Sequence, residues 1–513
     1  MPSLDQAGPA RHTMRRVSLV IGVPKETAPG ERRVAMVPRA FAALQKSGAQ
    51  LLVEPGAGEA SGYPDAEYVE KGARLAAGRD ELFAAADVLL FVRVPGTWQD
   101  GAAAPAAAAA STPPTAAAPA PAPPADADVA RLRAGQVVIG FADPLSLPAA
   151  SRQLAARGVT AFAMEVMPRI TRAQGMDALS SMATVAGYKA VLLAADALPR
   201  LFPMLMTAAG TVTPARVLVI GAGVAGLFAA ATARRLGAVV SAYDVRPAAR
   251  EQVESVGAKF ISLPLETSGS EDRGGYAREM DADFYRRQRE MMAGAVQEHD
   301  VVITTAAVPG KRAPVLVTRD MVAGMAPGSV IVDIAAERGG NCELTRPGET
   351  VVEHQVTILG PLNLAATVPY HASQLYARNV ASFLGHLLRD ARPPSQAEAA
   401  AAAPPPPPAR AETSPAGAAP SPFAIDTADE ITRETLITRG GEVVHERVRQ
   451  LLGLPPLASA APGGQPSTTP PQPPLPSTSA GASAGASPGA GGTVAAAPGT
   501  AAGGGATPSP PTG

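Results

Sequence analysis

Short apolar runs rich in β-branched residues alternate with stretches of helical periodicity over most of the chain. Residues 17–23, 50–54, 87–94, 136–141 and 160–164 read as strands, because brief apolar runs bounded by Gly, Pro and polar residues suit a sheet covered on both faces. Between them, residues 38–47 and 148–157 read as helices, the first with Phe41, Ala42 and Leu44 on its apolar side. A long helix is predicted from about Ala178. The rhythm then repeats with strands at 217–220, 239–243, 259–263, 301–305, 329–334 and 356–359 and a helix at 284–297. Residues 370–390 form a further helix in which Tyr376, Val380, Phe383 and Leu387 share a stripe. In LITRGGEVVHERV, Gly440 and Gly441 mark the turn of a hairpin. Strands alternating with helices imply an α/β protein of two parallel-sheet domains separated by a cleft.

Composition limits how much of the 513 residues can belong to those domains. The 50 glycines and 53 prolines concentrate in Ala/Pro/Gly-rich stretches that have little to bury. The expected organisation is a disordered extension at 1–14, with Met14 an alternative start; a first domain at 15–178 with a flexible insertion at 101–125, completed by 365–390 and 423–454; a second domain at 179–364; a linker at 391–422; and a disordered tail at 455–513. Residues 264–283 are too polar for a core and read as mobile. A net charge of −1 implies no general attraction to nucleic acid. One cysteine, Cys342, excludes an intrachain disulfide and reads as a small core residue. No apolar run is expected to reach the roughly 18 residues of a membrane span, and the short run before Pro24 and Lys25 does not resemble a signal peptide.

The sharpest chemistry lies at residues 215–246, ARVLVIGAGVAGLFAAATARRLGAVVSAYDVR. Gly221, Ala222, Gly223, Val224 and Gly226 form a GxGxxG turn between a strand and a helix. Gly221 permits the tight turn, Gly223 lets backbone approach a pyrophosphate, and Gly226 lets helix and strand pack closely. The helix amino terminus offers unpaired N–H groups to phosphates. Asp244 closes the next strand where an acid meets the adenosine ribose. Strand, turn, helix, strand and acid in this order predict a Rossmann-like dinucleotide-binding domain. The first domain, without such a turn, follows the same βα rhythm.

Several stretches carry a family resemblance: GVPKETAPGERRVAMVP, AMEVMPRITRAQGMDALSSMATVAGYKAV, FPMLMTAAGTVTPARVLVIGAGVAGL, AREQVESVGAKFI, GGYAREM, ITTAAVPGKRAPVLVT and DIAAERGGNCE. On these the chain resembles the soluble NAD(H)-binding alpha subunit (domain I) of proton-translocating NAD(P)+ transhydrogenase, within a superfamily shared with alanine dehydrogenase. The resemblance implies NAD(H) in the second domain, with Val224 after the phosphate turn, Asp244 on the ribose, Val245 and Arg246 lining that end, and Gly275, Gln288 and Ala307 at cofactor positions. The Asp244 carboxylate favours NAD over NADP, since it accepts ribose hydroxyls and repels a 2′-phosphate; Arg246 weakens that preference. In the family an Arg–Gln–Asp loop holds the nicotinamide end and faces the partner's nucleotide, and Arg169, Gln174, Asp177 and Ser180 match it. Arg169 is expected to pair with Asp177 and fix the loop, leaving Gln174 to bridge two nucleotides. Tyr276 falls in the family's mobile loop. The resemblance further implies an NADP(H)-binding beta subunit, a membrane proton-channel subunit, a homodimer, and a cytoplasmic place at the inner face of the plasma membrane held through those partners.

Hydride transfer between nicotinamides needs no acid or base, whereas oxidising an amino acid requires a group to take a proton. In alanine dehydrogenases an arginine, a lysine and a histidine serve the substrate. Arg33 matches the arginine, but Phe91 and Phe141 stand near the other two positions, and no histidine lies between His12 and His299. The expected function is therefore direct hydride transfer between NADH and NADP+ on a partner, coupled to proton translocation. The alternatives are a stand-alone alanine-dehydrogenase-like enzyme and a non-catalytic NAD-binding subunit. No metal site is expected.

Overall fold

The computed structural model describes residues 19–45, 48–98, 125–263, 282–308, 310–390 and 421–457. The expected extension at 1–14, Gly275 and Tyr276 lie outside these residues, as do the expected insertion, polar stretch, linker and tail apart from a few residues at their ends.

Two mixed sheets organise the chain, and each is parallel at its centre. The first runs in the order Glu442–Val443, Leu436–Arg439, Thr160–Ala163, Val137–Phe141, Val88–Arg93, Val20–Val23, Gln50–Val53, Arg74–Leu75. Its two late strands pair antiparallel at one edge, so the C-terminal segment extends a sheet begun early in the chain. The second runs Lys259–Phe260, Val239–Tyr243, Arg216–Ile220, Val301–Thr304, Val330–Asp333, Val356–Leu359, Thr350–Glu353. In both sheets the chain starts at the centre, moves outward on one side, then returns to the other. This order puts a crevice at the carboxyl ends of the two central strands.

The central strands form because their apolar runs are buried on both faces: Val217 to Ile220 and Val301 to Thr304 are wholly buried, and Val88 to Val92 likewise. Helix Pro148–Ala156 begins on the proline the sequence suggested, a residue whose fixed φ suits the first helical position. Helix Pro369–Asp390 buries Tyr376, Val380, Phe383 and Leu387 against the first sheet, and the Tyr376 hydroxyl donates to the Phe91 carbonyl at 2.7 Å.

Helix Ala178–Ala197 joins the two cores. Ala178, Met182 and Val185 pack in the first, and Ala190, Val191 and Ala194 in the second. Among the described residues it is the one helix long and apolar enough, by length and composition, to cross a membrane, although Lys189 and Asp196 interrupt its apolar run.

Two hairpins differ from the sequence reading. Leu205–Thr207 pairs with Gly210–Val212 in a hairpin whose strand residues are all exposed. Thr350–Glu353 pairs antiparallel with Val356–Leu359 through His354 and Gln355, both at positive φ. Such a turn favours Asn and Gly, so a His-Gln pair gave no signal. The strand expected at 259–263 ends at Phe260.

Candidate functional site: a dinucleotide cleft between the domains

The glycine turn follows strand Arg216–Ile220 and leads into helix Val224–Arg235. Gly221 sits at φ +100°, where side-chain-bearing residues are strained, and an added Cβ would lie 2.6 Å from Thr305 Oγ1. A Cβ on Gly226 would lie 1.8 Å from the Gly221 carbonyl oxygen, which is the close helix–strand contact the motif requires. Among the described residues, a Cβ on Gly223 would meet nothing within 4 Å. The space in front of Gly223, at the amino terminus of a 12-residue helix, is the cradle a pyrophosphate fits.

Asp244 follows the neighbouring strand Val239–Tyr243 and is nearly buried. Its Oδ2 accepts the Ala222 amide at 2.7 Å, and Oδ1 accepts the Arg246 amide at 2.9 Å. The acid is thereby locked to the glycine turn. Gln288 donates to the Tyr243 hydroxyl at 3.0 Å, while its buried Oε1 has no hydrogen-bond partner among the described residues. Burial pushes the Tyr243 phenol up to about 12, so the hydroxyl stays neutral.

These groups line an open cleft of about 1150 Å³ of empty space. Of the residues singled out from sequence, Arg169, Ser180, Gly221, Gly223, Val224, Asp244, Val245, Arg246, Gln288 and Ala307 all face it. Ala222 and Gly226 lie behind the turn as its packing contacts. Gln174 and Asp177 are beside the cleft rather than in its lining.

The loop between the lining residues Arg169 and Leu179 contains the 3₁₀ turn Thr171–Met176. Gln174 is exposed on it. The expected Arg169–Asp177 ion pair is absent among the described residues. Asp177 instead caps helix Ala178–Ala197: Oδ1 accepts the Ser180 amide at 2.8 Å and Oδ2 the Ser180 hydroxyl at 2.6 Å. An aspartate directly before a helix has the unpaired amides of the first turn within its reach.

Sequence reasoning missed the group that fixes the loop beside the glycine turn. Asp333, fully buried at the end of its strand, accepts the Thr304 hydroxyl, the amides of Ala335, Asn341 and Cys342, and the Thr345 hydroxyl. Asn341 in turn accepts the Ala306 amide and donates to the carbonyls of Ala306 and Pro314, fixing the loop beside Gly221, whose carbonyl accepts the Thr305 hydroxyl at 2.8 Å. The available signal was an acid ending an apolar strand before a Gly-Gly-Asn turn.

In the first domain, Arg33 is buried and donates through Nε and Nη2 to Glu31 at 2.7 and 2.6 Å. Phe91 is in the core, and Phe141 packs 5.2 Å from the Tyr376 ring. Arg338 reaches across from the second domain to Asp143, at 3.1 Å, and to Ser146.

Comparison with known proteins agrees with this architecture. The alanine dehydrogenase/PNT N-terminal domain family matches residues 22–122 and 120–186, and the corresponding C-terminal domain family matches 190–401. An NAD(P) transhydrogenase alpha subunit of Rhodospirillum rubrum is 44% identical over 374 residues, 72% of this chain and 91% of that protein. An alanine dehydrogenase of Mycobacterium tuberculosis is 31% identical over 362 residues, 68% of this chain and 82% of that enzyme. The crystal structure of transhydrogenase from Sinorhizobium meliloti aligns with a TM-score of 0.65 at 40% identity, covering 83% of this chain and all of that one. The chain therefore belongs to the alanine dehydrogenase/PNT family, and within it is more similar to these transhydrogenase proteins than to the alanine dehydrogenase.

Proposed function

We propose that the chain is the NAD(H)-binding subunit of a proton-translocating NAD(P)+ transhydrogenase. The observation that carries this reading is the exposed Gln174 on a loop flanked by residues that line the dinucleotide cleft. A donor ring held beside that loop is open to a second nucleotide carried by another protein. The cleft fits NAD(H): the cradle at Gly223 suits its pyrophosphate, Asp244 its adenosine ribose, and the orphaned Gln288 Oε1 a donor on the bound molecule.

Bound NADH supplies the hydride. The chain's own task is to bind it, orient it and keep the reacting face clear. Two nicotinamides need to approach to roughly 3–3.5 Å with water excluded, and no side chain has to move a proton. The apolar Phe91 and Phe141 in the first domain accord with that economy, because amino-acid oxidation would need a proton acceptor there. The NADP(H) site belongs in this reading to a beta subunit and the proton path to a membrane subunit, with the chain held at the inner face of the plasma membrane in the cytoplasm through them. A homodimer completes the assembly, and the exposed Met204, Leu205, Met206 and Val212 around the hairpin Leu205–Val212 support it.

Incubating the isolated chain with NAD+ and alanine, or with NADH and pyruvate, tests the reading against its enzyme rival. No substrate-dependent change in NADH absorbance is expected. Sustained turnover of either substrate by the chain alone would remove the reading.

A further inference from the structure

We propose that Asp429, on the C-terminal segment that rejoins the first domain, is a positioning residue for the Gln174 loop. The inference rests on the role proposed for that loop in hydride transfer. Asp429 lies 252 residues beyond Asp177 in sequence, across the long Pro/Ala-rich stretch, yet its carboxylate is where three segments meet. Oδ1 pairs with Arg172 Nη2 at 2.5 Å, Oδ2 accepts from His386 Nε2 at 2.9 Å, and Oδ2 also accepts the Thr432 amide at 2.9 Å. The first partner is on the Gln174 loop, the second on helix Pro369–Asp390, the third in the helix Glu430–Thr435 that Asp429 itself caps. Burial opposes ionisation of Asp429, but the Thr432 amide, His386 and Arg172 outweigh it and hold the carboxyl well below its usual range.

The rest of the loop is fastened residue by residue. Ala173 and Met176 are buried in the first core. The Gly175 carbonyl accepts from Asn379 Nδ2 at 3.0 Å, again from helix Pro369–Asp390. Asp177 is tied to Ser180. Thus the neighbours of Gln174 on both sides are held while Gln174 itself is exposed. Of these fastenings, only the Arg172–Asp429 pair is made by a side chain that is more than half exposed on the loop side, at 55%, against a carboxylate only 10% exposed. A pair so open to water adds little to global stability. Its consequence is local: it restrains a short 3₁₀ turn, a structure with poor hydrogen-bond geometry of its own. Hydride transfer is sensitive to such restraint, since a misplacement of about 1 Å can cost on the order of 100-fold in rate.

The test uses the full chain, alone and mixed with the NADP(H)-binding domain of a transhydrogenase, and compares Arg172→Ala, Asp429→Asn and Gln174→Asn. Asparagine still caps the helix, so Asp429→Asn keeps the fold, and Arg172→Ala removes the pair from the exposed side. In both pair variants, amide hydrogen exchange over residues 171–177 is expected to speed up about tenfold or more, with NADH affinity within about threefold of the parent and the transfer rate at saturating NADH down about tenfold. Arg172→Lys, which keeps the charge, should recover part of both. Unchanged exchange in the loop, or an unchanged transfer rate when Gln174→Asn is impaired, overturns the positioning role and leaves the functional reading standing. Full transfer in Gln174→Asn overturns the reading itself.

Discussion

Arg246 grips Asp244 through two parallel hydrogen bonds, Nε to Oδ1 and Nη2 to Oδ2, each 2.9 Å long. The same carboxylate accepts the Ala222 amide from the glycine turn, so the acid that should meet the adenosine ribose is also the anchor of the phosphate turn. A two-point guanidinium–carboxylate pair is directional and strong. It neutralises the acid's charge and competes with ribose hydroxyls for its lone pairs.

Two variants separate these effects. Asp244→Ala should weaken NADH binding about tenfold or more, ~1.4 kcal/mol, because both the ribose acceptor and the anchor are lost. Arg246→Ala leaves the carboxylate charged without its guanidinium and held by backbone amides alone, so the affinity for NADPH should fall about tenfold relative to NADH as the 2′-phosphate meets that charge. Fluorescence titration of both nucleotides reads the two ratios. An Arg246→Ala protein that gained affinity for NADPH would contradict this assignment.

The glycines of the turn should fail in different ways. Gly226→Ala drives a methyl group into the Gly221 carbonyl, where the available gap is 1.8 Å, and should destabilise the fold by about 3 kcal/mol or more. Gly223→Ala meets no atom of the described residues within 4 Å, so its melting temperature should stay near that of the parent while NADH affinity drops about tenfold. Thermal melts and nucleotide titrations on the pair check this, and equal loss of stability in both would refute the cradle.

Stability should fall as pH rises from the ordinary carboxyl range toward about 8. Burial, with repulsion from Glu31, raises the Glu26 carboxyl to about 8, and burial raises Glu165 to about 7. Glu26 accepts the Val92 and Arg93 amides; Glu165 accepts the Ala142 and Asp143 amides and leaves Oε2 without a partner. Both folded values lie above the ordinary carboxyl value of 4.5, so the folded state holds protons that the unfolded chain releases. The stabilisation is complete below that ordinary value and is lost as pH rises through 7 to 8. The melting temperature should therefore drop between about pH 5 and about pH 8, by about 2–4 °C for each kcal/mol lost. A Glu26→Gln, Glu165→Gln double variant should flatten that slope. Glu31 moves the other way: burial opposes its ionisation, but Arg33 brings it to about 2, so it adds no slope in this window.

Much of the fold could be read from the chain because buried parallel strands leave an unmistakable trace. The runs at Val217–Ile220 and Val239–Tyr243 became strands with nearly the expected ends, and the spacing from Gly221 to Asp244 placed both on one cleft. The stripe from Tyr376 to Leu387 packed as its periodicity required. What escaped notice was made by tertiary context. The His354–Gln355 turn depends on positive φ at residues that rarely adopt it, and the hairpin at Leu205–Val212 has no buried face to impose an alternating pattern. The Arg169–Asp177 pair was expected from opposite charges on a loop that matches the family's, whereas the local geometry of a helix start gave Asp177 to Ser180. Asp333 and Asp429 belong to no motif in the sequence; only folding surrounds each with donors from several segments.

A chain that presents its nicotinamide to a nucleotide bound elsewhere must pass hydride straight across to it. Mixing the chain with the NADP(H)-binding domain of a transhydrogenase, and following reduction of an NAD analogue by NADPH carrying deuterium at the transferred position, reads that step. Label should appear on the analogue at a rate that depends on both proteins, with none lost to solvent. Failure to transfer label in the mixture, together with alanine-dependent reduction of NAD+ by the chain alone, would contradict it.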